Sequence, residues 1–241
     1  FIHHKEEKFT MKLKKIASLA LAGVMAVSML AGCSTTSVKP EDPTTPEEPT
    51  ATGYSVELAA NLSDAAKKDY ITYEDNADDI AALEDALGNL SSTSLADKAV
   101  LPKTVSPIID VLTTDDMKLV INDFANSAKI DNDNLSKRDA DHQLLSYFHY
   151  GWKDYSETVK YGLLYVIDGT VDVNKALKQV ASKIENSLEQ LPNVNADTAA
   201  RVTYDYTVSA SVVNKALEPF AGYTLSANFI AVTITRVPTQ V

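Results

Sequence analysis

An α+β fold is what residues 54–241 predict, and three observations predict it. Apolar residues recur at steps of three and four through the middle of the chain. Strict alternation takes over after residue 201, and a short alternating stretch at residues 54–61 precedes the helical run. Taken together these give a helical bundle around a long central helix (about 139–167), packed on a small antiparallel sheet. An N-terminal strand and two C-terminal strands form that sheet, and the helices cover one of its faces.

The first strand is expected at Tyr54, where Tyr54, Val56, Leu58 and Ala60 alternate with Ser55, Glu57, Ala59 and Asn61. Helices follow. Ile80, Leu83 and Leu87 share a face, Asp75 or Asn76 caps the start and Gly88 ends it. A short helix is expected over 95–100, stopped by Pro102, and Pro107 suits the first turn of another through Leu112. Thr113 or Thr114 caps a run in which Met117, Val120, Ile121 and Phe124 align. The cluster Asp131-Asn132-Asp133-Asn134 reads as a turn.

The central helix rests on Leu145, Phe148, Trp152, Tyr155, Val159, Leu163 and Val166, which keep phase across Gly151. Tyr147, Tyr150, Tyr161 and Tyr165 point the other way, and apolar matter on both faces marks a helix packed on both sides. Asp168-Gly169 breaks it. Asp172 then caps an amphipathic helix with Val173, Leu177, Val180, Ile184, Leu188 and Leu191 inward, expected to lie antiparallel to the central one. In the C-terminal part Val202, Tyr204, Tyr206, Val208, Ala210 and Val212 alternate with polar residues, so the even positions should be buried and the odd ones exposed. Residues 214–222 read as a connection and 224–237 as the second strand. Its phase shifts near Phe229-Ile230, which predicts a bulge or a stretch buried on both faces.

Ahead of the domain stand Lys12, Lys14 and Lys15, an apolar run over 16–30, and Leu30-Ala31-Gly32-Cys33. Basic head, apolar centre and small residues before a cut make a secretory signal. The 16 residues from Ile16 to Ala31 fall short of the about 20 needed to span a bilayer. The Leu-Ala-Gly-Cys sequence resembles the lipobox of bacterial lipoproteins. That resemblance implies a diacylglycerol thioether on Cys33, cleavage before it, and attachment to the outer face of the plasma membrane. Met11 opens the signal, and residues 1–10 are expected to be untranslated leader read in frame. Lys5-Glu6-Glu7-Lys8 reads back as a purine-rich ribosome-binding sequence, so His3 and His4 are not metal ligands. The expected division is therefore 11–32 signal peptide, 33–53 lipidated cysteine and tether, and 54–241 a single globular domain. A low-GC Gram-positive source suits these features.

In the tether Pro40, Pro43, Pro46 and Pro49 recur every third residue, the period of polyproline II. Fully extended in that form it reaches about 60 Å as a semi-rigid spacer. Removing residues 1–32 from the 241 leaves 209, with Lys and Arg at 17, Asp and Glu at 31, and a formal charge of −14. Such a chain repels nucleic acid and anionic headgroups, so the membrane is met only through the N-terminal lipid. Cys33 is the sole cysteine, which leaves no disulfide and no free thiol after lipidation.

Motifs for chemistry are sparse. Asp131, Asp133 and Asp141 start like a calcium loop, yet Leu135 and Ser136 stand where a ligand and a glycine are needed. Asp168-Gly169-Thr170-Val171-Asp172 fails similarly, with Leu164 and Val166 at ligand positions and Lys175 at the last. Asp139 and His142 are spaced i, i+3 without the glutamates of a di-metal bundle. His142 and His149 are the only histidines of the mature chain, and no Gly-x-Ser-x-Gly occurs. No metal, cofactor or catalytic residue is assigned. The positive signal is aromatic: Tyr147, Tyr150, Trp152 and Tyr155 are candidate ligand-facing residues, weighed against packing in a helix core.

Residues 165–177, Tyr-Val-Ile-Asp-Gly-Thr-Val-Asp-Val-Asn-Lys-Ala-Leu, followed by Ile184 and Leu188, resemble a late segment of extracellular solute-binding proteins. The leading expectation is a lipid-anchored, non-enzymatic binding or interaction domain, its partner an envelope protein, a peptide or a glycan. The alternatives are a reduced solute-binding component, which needs a deep pocket between two lobes, and a cell-envelope hydrolase. The hydrolase needs a cleft joining His142 or His149 to carboxylates.

Overall fold

The structure, a computed structural model, describes residues 53–88, 90, 101–131, 134–136, 155–195, 202–220 and 223–240. The fold is α+β. Four α-helices among the described residues, α1 (Tyr54–Ala60), α2 (Ala77–Gly88), α3 (Thr114–Ser127) and α4 (Val173–Glu189), pack on one mixed sheet. Its strands are β1 (Ile71–Tyr73), β2 (Ser106–Pro107), β3 (Leu135–Ser136), β4 (Val159–Asp168), β5 (Val202–Phe220) and β6 (Tyr223–Gln240), ordered β1-β5-β6-β4-β2, with β3 also against β4. β1 runs parallel to β5 and β3 parallel to β4; the other pairs are antiparallel.

The sheet divides two cores. Tyr161, Leu163, Tyr165 and Ile167 of β4, the even residues Val202–Val212 of β5, and Ile230, Val232 and Ile234 of β6 face α1 and α4. Leu164 and Val166 of β4 and Ala227, Phe229 and Ala231 of β6 face α2 and α3. Helices on both faces correct the expected one-sided cover, and the mixed sheet corrects the expected small antiparallel one. The same fact explains why Ser209 and Ser211, odd residues of β5, are buried rather than exposed. Only Asp205 of the odd positions from 203 to 213 is fully exposed.

The central helix is the largest correction. Residues 159–168 form β4, the middle strand of the β6–β4–β2 side, and residues 137–154 lie outside the described residues. A strand buried on both faces reads as a continuous apolar run, and steps of three and four fit such a run as well as steps of two do. Gly162 belongs to the strand for a steric reason: a Cβ there would lie 2.4 Å from Leu135 Cδ1 and 3.0 Å from Ile130 Cδ1. The Asp168–Asp172 turn therefore joins a strand to α4, not two antiparallel helices. Residues 54–60 form a helix, since Ser55, Leu58 and Leu62 bury at steps of three and four. The N-terminal strand is instead Ile71–Tyr73. Residues 214–220 of the expected connection instead continue β5, paired with β6 down to Phe220 and Tyr223.

Elsewhere local signals hold. Asn76 Oδ1 accepts from Asp78 N at the start of α2, Thr113 Oγ1 from Asp116 N at α3, and Asp172 Oδ1 from Lys175 N at α4. Met117, Val120, Ile121 and Phe124 are buried, as are Leu177, Val180, Ile184, Leu188 and Leu191. The phase shift at Phe229-Ile230 is the doubly buried kind, because β6 pairs there without a register shift. The helix expected at 95–100 lies outside the described residues. Near Pro107 there is only a 3₁₀ turn, Ile108–Asp110.

Candidate functional site

Three polar arrangements and one strand edge stand out. The first lies between α2, α3 and the sheet. Asp79, 1% exposed in the first turn of α2, pairs with Lys160 at the start of β4, and its other oxygen accepts from Thr233 Oγ1 at 2.6 Å. Lys160 Nζ also donates to the Ala128 carbonyl, 3.1 Å away at the end of α3. Both carboxylate oxygens and the ammonium are engaged by the protein, so the group ties four elements together, α2, α3, β4 and β6.

The second closes the turn after β4. Asp168 Oδ1 accepts from Thr170 N at 2.9 Å and Thr170 Oγ1 at 2.5 Å, and Oδ2 pairs with Lys103 Nζ at 2.8 Å. Burial acts to raise the Asp168 carboxyl, but hydrogen bonds from Lys103 and Thr170 outweigh it and hold it below the usual carboxylate range. Gly169 passes so close to β6 that a Cβ would meet Ser226 Oγ at 2.1 Å and the Ser226 backbone carbon at 2.7 Å. The loop that resembled part of a calcium site thus commits its aspartates to the fold, Asp168 to the turn and the exposed Asp172 to the helix cap.

The third is a tyrosine group at the other end of the sheet. Tyr204 and Tyr206 sit two apart on β5, and Arg236 is the register partner of Tyr206 on β6. The Arg236 guanidinium lies 4.6 Å from the Tyr204 ring centroid and is 2% exposed, a desolvated cation–π contact. Tyr70 and Tyr206 donate their hydroxyls to the Leu191 and Pro192 carbonyls, each at 2.8 Å, while Lys68 Nζ donates to Glu189 O at 2.5 Å. Lys68 thus satisfies a carbonyl that the C-terminus of α4 leaves without a helical partner, and the two tyrosines tie down the chain just beyond it. Burial pushes the Tyr206 phenol far above its ordinary value, although Arg236 acts to lower it.

Of the sequence-expected residues, Tyr155 is placed, in the turn before β4 and 41% exposed. Burial raises the Tyr204 phenol, Arg236 acts to lower it, and Tyr155 adds a smaller raising effect. Tyr147, Tyr150 and Trp152 lie outside the described residues, as do Cys33, Asp139, His142 and His149. The tyrosine group itself is built by Tyr204, Tyr206 and Arg236, which come from two paired strands rather than from neighbours in sequence. The alternation of β5 marked Tyr204 and Tyr206 as buried, but nothing local pointed to Arg236. Among the described residues no three His, Cys, Asp or Glu side chains converge as a metal site, and no helix is long and apolar enough to cross a membrane.

The strand edge is β5. Its even residues turn their backbone groups away from β6, as alternate residues of an antiparallel pair do. From Val202 to Ala210 every such residue is engaged. Asn195 N reaches Val202 O at 2.9 Å, Tyr204 N reaches Asn193 O at 2.9 Å, and Tyr206 N reaches Tyr70 O at 2.8 Å. Glu74 N reaches Val208 O at 3.1 Å, and Ala210 N donates to Ser55 Oγ at 2.9 Å. Beyond Ala210, among the described residues, nothing pairs with the outward groups of Val212, Asn214 and Ala216.

No family model, curated protein or solved structure matches the chain, so its own residues carry the functional reading.

Proposed function

We propose that this chain is a lipid-anchored extracytoplasmic domain of a bacterial plasma membrane, held through Cys33 and acting by binding rather than catalysis. Leu30-Ala31-Gly32-Cys33, placed after a basic head and an apolar run, is the observation that carries it. The proline-spaced tether supports it, because a spacer of about 60 Å lifts a domain clear of the lipid while keeping it attached. The six strands of the described body form one sheet with helices on both faces, which supports a compact interaction module over a two-lobed solute receptor. The three polar arrangements support it too, since their charged groups are spent on joining elements of the fold.

Cys33→Ser tests the anchor, because only a thiol takes the thioether-linked lipid. On cell fractionation the wild-type chain is expected in the membrane in acylated form, and the variant released or left uncleaved without lipid. A variant still acylated and membrane-bound would overturn the proposal.

A further inference from the structure

We infer that the outer edge of β5 at Val212, Asn214 and Ala216 is a docking site for an extended, positively charged polypeptide segment, which adds to the sheet as a strand. This gives the binding reading a place on the molecule and rests on that reading, though not on the anchor.

The contrast along β5 is the starting point. Five successive outward residues, Val202 to Ala210, are sealed by three separate parts of the chain: 193–195, 70–74 and Ser55. The outer side of β4, across the sheet, is covered as well. Along β4, Asp168 N donates to Pro102 O, Ser106 and Pro107 pair with Val166 and Tyr165, β3 pairs with Gly162 and Leu163, and Asn134 Nδ2 donates to Lys160 O. An exposed run of strand N–H and C=O groups is a template for another strand, and proteins usually cover or block it. Among the described residues the cover stops at Ala210, while the strand continues in register with β6 to Leu217. Asn214 and Ala216 are exposed.

Charge and shape at the mouth of the open stretch indicate the occupant. Glu74 and Asp75 are exposed just where the sealed stretch ends, with Asp78 close by in α2. On α1, Tyr54 and Val56 flank Ser55 and are 38% and 45% exposed, so apolar contact is on offer beside the carboxylates. The whole chain carries a formal charge of −11. A second copy would bring like charges together, whereas a cationic segment is drawn in. The chain's own tether is a poor strand, because a proline at every third residue removes the N–H donors that pairing needs.

The test uses the full chain in detergent and the probe Lys-Thr-Val-Thr-Val-Thr-Val-Thr-Lys, with a control that has Glu at both ends. Hydrogen exchange at single-amide resolution reads Val212, Asn214 and Ala216, and fluorescence anisotropy reads affinity. The Lys probe is expected to slow exchange at those three amides, and the Glu probe to bind at least about tenfold more weakly. Ala216→Pro removes an outward donor and leaves the bonds to β6, so it should weaken the Lys probe at least about tenfold with an unchanged melting temperature. Amides that stay unprotected at millimolar Lys probe would overturn the site, whether or not Ala216→Pro folds. Equal binding of the two probes would overturn the cationic partner. Protection that rises with protein concentration alone would put a second copy on the edge, against the proposal. The Cys33→Ser fractionation reads acylation only, so either result can fail without the other.

Discussion

Lys160 and Asp79 stand 81 residues apart in the chain and meet as an ion pair under the first turn of α2. Asp79 is 1% exposed and the Lys160 side chain 17%, so the pair is held largely away from water. Its worth lies in not being broken: a lone buried carboxylate costs far more than the intact pair gives. Lys160→Met is therefore expected to destabilise the domain by about 3 kcal/mol. The triple variant Asp79→Leu, Lys160→Met, Thr233→Val removes the polar atoms together and should cost less than the single change. Chemical denaturation measures both, and a triple variant weaker than Lys160→Met would show that the pair stabilises the fold outright.

The two faces of β5 give a second prediction. Tyr204 is 4% exposed beneath Arg236, and its neighbour Asp205 is exposed. Tyr204→Ala should cost about 3–4 kcal/mol as a large-to-small core change, while Asp205→Lys should stay within about 0.5 kcal/mol of wild type. Unchanged denaturation midpoints for both would mean that this end of β5 is solvated on both faces.

That alternation was legible because one face of β5 meets a core and the other, at this end, meets water. Where both faces are covered the pattern fades. Leu164 and Val166 face one core while Leu163 and Tyr165 face the other, so β4 shows no polar side and mimics a helix stripe. α2, α3 and α4 were readable from their caps and single apolar faces, Thr113 and Asp172 above all. α1 was not, because seven residues give too few repeats to separate period two from period 3.6. The candidate site was legible only in part for a related reason. Tyr155 could be singled out from its neighbours in sequence, but Arg236 reaches Tyr204 and Tyr206 through strand pairing, and pairing partners leave no local trace.

Buried phenols set the alkaline limit of stability. Burial raises the Tyr73, Tyr161 and Tyr206 phenols, Tyr161 to about 12 despite its hydrogen bond with Ser136. An unfolded tyrosine titrates near pH 10, so the folded chain holds protons that the unfolded chain gives up above that pH. The contribution is complete below about pH 10 and is lost as pH rises toward the folded values, at about 1.4 kcal/mol per pH unit for each tyrosine. The denaturation midpoint should fall steadily above about pH 10, and Tyr161→Phe should make the fall shallower. A midpoint flat to pH 12 would show that these phenols reach solvent in the folded state.

Gly169 offers a steric test of the turn between β4 and α4. A Cβ there would press on the Ser226 backbone, which lies in a paired strand and has little room to yield. Gly169→Ala should destabilise the domain by about 1–3 kcal/mol, the usual range for overpacking. Thermal unfolding checks it, and wild-type stability would mean that β6 shifts freely at Ser226.

Anchoring through Cys33 is tested most directly by the intact mass of the chain extracted from bacterial membranes. The expected result is a chain that begins at Cys33 and carries a diacylglycerol group on its sulfur. A membrane-extracted chain that still begins at Met11, or that begins at Cys33 with an unmodified thiol, would contradict it.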